Sequence, residues 1–70
     1  MVLSKIKNNG EYHVLQVTTS DAELNRHLQD MGFLPGEPIT VVSHFDGNVI
    51  ISIKGSKVAL SEQMASNILV

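Results

Sequence analysis

Seventy residues with no cysteine and a formal net charge of −2 make one small domain spanning 1–70, and exclude a disulfide framework and any thiolate metal site. Five basic against seven acidic residues argue against nucleic-acid binding, which needs Lys and Arg gathered on one face. No apolar run approaches a membrane span, and polar residues follow Met1-Val2-Leu3 at once, so a cytoplasmic protein with no leader and no direct membrane insertion is expected.

Leu3 and Ile6, three apart, suit one short turn against the core, and Asn8-Asn9-Gly10 is a turn cluster. Glu11 to Val17 reads as a strand whose inward face stays open, because Val14 and Leu15 are adjacent and break the alternation. Thr18-Thr19-Ser20 leads into a helix predicted over about 21–31. Ser20 and Glu23 have capping-box spacing, and Asp21 and Glu23 place negative charge at the positive end of the dipole. Leu24, Leu28 and Met31 recur with helical spacing and hold the segment on a sheet, leaving Asn25, Arg26 and Gln29 outward. Gly32 falls where a helix needs a left-handed residue to stop. Leu34-Pro35-Gly36-Glu37 reads as a type II turn, with proline second and glycine third.

Beyond this corner the period becomes two. Ile39 and Val41 form one apolar face, Val49, Ile51 and Ile53 a second, Val58 and Leu60 a third. A two-residue Asp46-Gly47 loop in regular strands would set Val41 against Ser52 and turn one apolar face to water. A three-residue Phe45-Asp46-Gly47 loop sets Val41 against Ile51 and is therefore the expectation. For the next hairpin, a Gly55-Ser56 loop sets Ile53 against Val58 and Ile51 against Leu60. Ser61 suits the N-cap of a helical turn over about 62–66, and Ile68-Leu69-Val70 reads as a last strand. The whole describes a mainly β chain: a small, strongly bent antiparallel barrel of about five strands with one inserted helix and an aliphatic core.

Leu28-x-x-Met31-Gly32-Phe33-x-Pro35-Gly36, then Ile39-x-Val41, then Val49-x-Ile51-x-Ile53 resemble the FeoA family, the small cytoplasmic partner of the bacterial ferrous iron transporter. The ending Val58-Ala59-Leu60-x-x-x-x-Ala65-x-x-Ile68-x-Val70 is similar as well, so the resemblance touches nearly the whole chain. It implies an SH3-like barrel with the helix inserted after the first long strand. It also implies a role in assisting or regulating the membrane transporter through its cytoplasmic GTPase domain. The chain departs from the family where Ser61 replaces a frequent basic residue after Leu60, and where the loop at Phe45-Asp46-Gly47 is shorter than many.

His13, His27 and His44 stand on separate elements with no triad spacing, so no enzyme is expected. Glu23 and His27, four apart on the helix, are the weak metal candidates. They supply only half of a zinc site, and a solvated histidine beside a capping glutamate is the stronger reading. No cofactor is expected apart from the divalent metal that this pair could take. The surface reading favours Phe33, Leu34 and Phe45 as a partner-binding face, with core-plug roles for Phe33 and Leu34 weighed equally. Ile50 adds to this side or marks a homodimer contact. The alternatives to an interaction module of iron uptake are a nucleic-acid-binding small barrel and a metal-responsive binding module.

Overall fold

In the computed structural model, which describes every residue from Met1 to Val70, a 3₁₀ turn over Leu3–Lys5 buries Leu3, and Ile6 is buried just after it. Strands β1 (Gly10–His13) and β2 (Gln16–Val17) precede helix α1 (Ala22–Asp30). β3 (Pro38–Phe45), β4 (Asn48–Ile53), β5 (Ser56–Leu60), helix α2 (Glu62–Ala65) and β6 (Ile68–Leu69) follow. Antiparallel pairing orders one sheet β1-β3-β4-β5, and a second, smaller sheet pairs β2 with β6. The mainly β, antiparallel architecture with one inserted helix is as expected, but the two sheets are not closed into one barrel. No helix is long and apolar enough to cross a membrane.

The expected strand over Glu11–Val17 is two strands, because the chain changes sheets in its middle. The Val14 N–H donates to the Glu37 carbonyl at 2.9 Å, whereas the Leu15 N–H donates to the Leu69 carbonyl at 2.7 Å. Val14 is buried and Leu15 exposed, which accounts for the broken alternation.

Ile39 and Val41 on β3, Val49, Ile51 and Ile53 on β4, and Leu60 on β5 all face the core. Val41 does stand opposite Ile51, but not through a three-residue loop. Phe45 pairs with Asn48 across a two-residue turn, in which Asp46 and Gly47 have φ of 51° and 83°, the type I′ geometry that matches strand twist. The offset is absorbed farther back, where the register shifts between Val41 and Ser43 and leaves Val42 as a bulge. An extra residue in one strand restores the matching of faces as well as a longer loop does.

The second turn is also two residues long but sits one position earlier, over Lys54 and Gly55, with φ of 50° and 80°. It sets Ile53 against Ser56, Ile51 against Val58 and Val49 against Leu60. Moving a two-residue turn by one position shifts the register by two, so the apolar faces still agree. Ser61 caps α2 as expected, its Oγ accepting from the Met64 N–H at 3.3 Å.

At the start of α1 the cap is Asp21, one residue after the expected Ser20. Its Oδ1 accepts from the N–H groups of Glu23 at 3.0 Å and Leu24 at 3.2 Å. The helix ends in a Schellman motif: Gly32 (φ 104°) donates to the Gln29 carbonyl at 2.9 Å, and Phe33 donates to the Leu28 carbonyl at 3.0 Å. This geometry brings the residue after the glycine back under the last turn, and Leu28 and Phe33 share the buried cluster. The Glu37 N–H then donates to the Leu34 carbonyl at 3.0 Å, with φ of Gly36 at 90°, closing the type II turn.

Candidate functional site

The three residues expected to form one face do not lie together. Phe33 is 1% exposed, a core plug beneath α1, and is withdrawn from any surface. Leu34 is 45% exposed at the corner before β3, and Phe45 is 73% exposed at that strand's far end. An eight-residue strand lies between them, roughly 25 Å of extended chain. They mark opposite ends of the molecule's main sheet.

Around Phe45 a surface does assemble. Along the outward face of the sheet, Ile50 is 41% exposed and stands between Ser43 on β3 and Ala59 on β5. Both neighbours are small, so a shallow apolar groove of about 260 Å³ opens over the middle strand, with Phe45 and Asn48 at the tip end. Val42, displaced by the bulge, adds a further exposed apolar side chain on β3. The groove was partly legible from the outward residues of the period-two strands. The small residues at its flanks were the unused signal.

The tip is anchored. Asn48 Oδ1 accepts from the Glu62 N–H at 2.8 Å, so the hairpin serves the first turn of α2. Gly47 lies against Glu62: a Cβ there would stand 2.7 Å from its Cγ. On the other side, His44 Nδ1 and Asn9 Oδ1 are 3.0 Å apart and tie the end of β3 to the turn before β1. Phe45 is thus a largely hydrated aromatic beside a braced turn, and fully burying such a side chain is worth about 1.5–3 kcal/mol.

Glu23 and His27 lie on the exposed face of α1, where with Arg26 and Asp30 they border a shallow depression. Since Asp21 supplies the cap, the Glu23 carboxylate is not drawn into a capping box. No group of three or more His, Cys, Asp or Glu side chains is arranged to hold a metal ion. The single ion pair lies elsewhere, between Lys54 Nζ and Glu37 Oε1 at 3.0 Å, across the corner from β5's turn.

A family model described as the FeoA domain matches residues 1–70. None of the curated proteins matches the chain. Among solved structures, an iron uptake regulatory protein (FeoA) is 23% identical with a TM-score of 0.84, covering 97% of this chain and 91% of its own. The FeoA of Stenotrophomonas maltophilia, an SH3-domain protein solved with zinc, is 24% identical with a TM-score of 0.84, covering 100% of this chain and 88% of its own. A manganese-dependent transcriptional repressor in complex with manganese is 18% identical with a TM-score of 0.86. There the match covers 97% of this chain but 34% of the repressor.

Proposed function

The chain belongs to the FeoA domain family, and from that premise we propose that it assists or regulates ferrous iron uptake in the cytoplasm as a binding module without catalysis of its own. Its partner in this reading is the cytoplasmic GTPase domain of a ferrous iron transporter, and the docking surface is the groove beside Phe45. One observation carries the reading: the most exposed aromatic of the chain stands on a hairpin tip braced by Asn48 and Glu62. A rigid apolar anchor loses little conformational entropy on docking, and anchors of this kind supply most of the energy at protein interfaces. The name of the similar iron uptake regulatory protein points the same way.

The basic residues do not favour the nucleic-acid alternative. Lys54 is engaged by Glu37, and Arg26 shares its helix face with Glu23 and Asp30, so neither adds to a positive stripe for phosphates.

The test is a titration of the chain with the purified GTPase domain by calorimetry. Phe45→Asp and Ile50→Asp are expected to weaken binding by roughly tenfold or more each. Leu34→Asp, at the other end of β3, is expected to weaken it less. Binding that ignores Phe45→Asp and Ile50→Asp together would overturn the surface, and no binding by the parent chain would overturn the partner.

A further inference from the structure

β5 (Ser56–Leu60) is an open edge of the four-stranded sheet. Its pairing with β4 starts at a two-residue turn closed by Ile53 and Ser56. In such a hairpin the closing pair exchanges both backbone bonds and the pattern alternates from there. Ile51 with Val58 and Val49 with Leu60 are therefore bonded pairs. Lys57 and Ala59, between them, direct their N–H and C=O groups away from β4. No turn, loop or side-chain hydrogen bond of the chain reaches them on that side, and both residues are exposed. The other edge of this sheet, β1, shows Glu11 and His13 on the outward face, which guards it with polar side chains. On β5 the outward face carries a single charged residue, Lys57, beside Ala59 and the neighbouring Ile50.

Charge is distributed unevenly along this edge. Lys57 stands near its start, Lys54 in the preceding turn being paired with Glu37, and Glu62 stands just past its end. Asp46 lies in the turn whose Gly47 rests on Glu62. Two such edges aligned antiparallel set the basic start of each against the acidic end of the other. With Ala59 opposite Ala59 of a second copy, Lys57 falls opposite Ser61 and next to Glu62. A parallel alignment would instead set like charges together. The edge is thus self-complementary, as a two-fold interface requires.

We propose that β5 is a self-association edge: two copies of this chain pair through it, antiparallel, joining their four-stranded sheets into one continuous sheet. The strip is one strand wide, well short of the roughly 1,000 Å² that marks a stable interface. The dimer is accordingly weak and concentration-dependent, and salt weakens it further. This contact adjoins the groove proposed for the transporter, which Ala59 also lines, but Phe45 stands on β3, two strands away from β5, so Phe45→Asp leaves the edge intact.

Sedimentation velocity across micromolar to millimolar concentrations, at low and high salt, tests the proposal on the whole chain. The parent is expected to dimerise, with the Lys57 and Ala59 amides gaining hydrogen-exchange protection as concentration rises, while the β1 amides do not. Ala59→Pro removes an outward N–H at an edge position that tolerates proline, and should weaken association by roughly tenfold or more. Lys57→Glu and Glu62→Lys should each weaken it, and the two together should restore it, which keeps the proposal testable if Ala59→Pro does not fold. A chain monomeric up to about 1 mM overturns it. So does a dimer indifferent to both Ala59→Pro and Lys57→Glu, or a double charge swap no better than its single changes.

Discussion

The chain has two phenylalanines, and the helix corner and the hairpin tip treat them in opposite ways. At the corner, the Schellman motif returns the chain under α1 and buries Phe33 against Leu28. At the tip, the Asp46-Gly47 turn leaves Phe45 on the outward face of the sheet with water on most of its ring. Residue type is the same in both places, so the local backbone decides what the ring does. A glycine stop followed by an aromatic residue builds core. An aromatic residue before a type I′ turn takes whichever face the register gives it.

The largest effect separates these two rings directly. Phe33→Ala is expected to cost about 3–5 kcal/mol, a core cavity in a domain with little stability to spare. Phe45→Ala should change stability by no more than about 0.5 kcal/mol, and appear instead as lost partner binding. Chemical denaturation of both variants measures the contrast. Equal losses of stability would mean that the tip packs on the core after all.

Next in size is a change to the strand that carries Phe45. Val42 is the extra residue of the bulge, so its deletion leaves Ser43, His44 and Phe45 opposite Ile50, Val49 and Asn48 as before. The variant should fold with its register unchanged and lose roughly 1–3 kcal/mol, because the bulge supplies local twist. Cross-strand contacts by NMR read the register. A deletion that turned Phe45 inward would show that the bulge, rather than the turn, sets its orientation.

These positions also mark how far the sequence could be read. Matching the apolar faces demands one unpaired residue somewhere between Val41 and Ile51, but that demand is one of parity and says nothing of place. A longer loop and a bulge satisfy it equally, and the chain uses the bulge. The second hairpin is degenerate in the same way, since turns over Lys54-Gly55 and Gly55-Ser56 both keep the faces aligned. There the glycine was a usable signal: in both hairpins it occupies the second turn position, where type I′ geometry favours it. The corner's glycines and proline fixed the helix stop and the type II turn outright. The burial of Phe33 was legible too, as an apolar residue following a C-terminal glycine. The braces on Phe45 were not, because Asn48, Glu62, His44 and Asn9 meet only in the folded chain.

A smaller effect tests the one-residue error at the head of α1. Asp21→Ala should cost about 1 kcal/mol, whereas Ser20→Ala should cost almost nothing, since Asp21 alone accepts from the first-turn N–H groups. Thermal unfolding of the pair distinguishes them. The reverse order would return the cap to Ser20.

The smallest effect lies where the corner and the hairpins touch, at Lys54. Its φ of 50° places a side-chain-bearing residue in the left-handed region, at a cost of about 1 kcal/mol that asparagine largely avoids. Against this stands the 3.0 Å pair with Glu37, which at a lysine more than half exposed is worth about 0.2–1 kcal/mol and is screened by salt. Lys54→Asn removes both terms, so at low ionic strength the two nearly cancel. At about 1 M salt the parent keeps its backbone strain and loses its ion pair, by the short screening length there. The variant should then be the more stable of the two, and urea midpoints at both ionic strengths read the change. A variant less stable by the same margin at low and high salt would mean that Lys54 contributes through its stem packed over Gly32, tying hairpin to corner by contact rather than by charge.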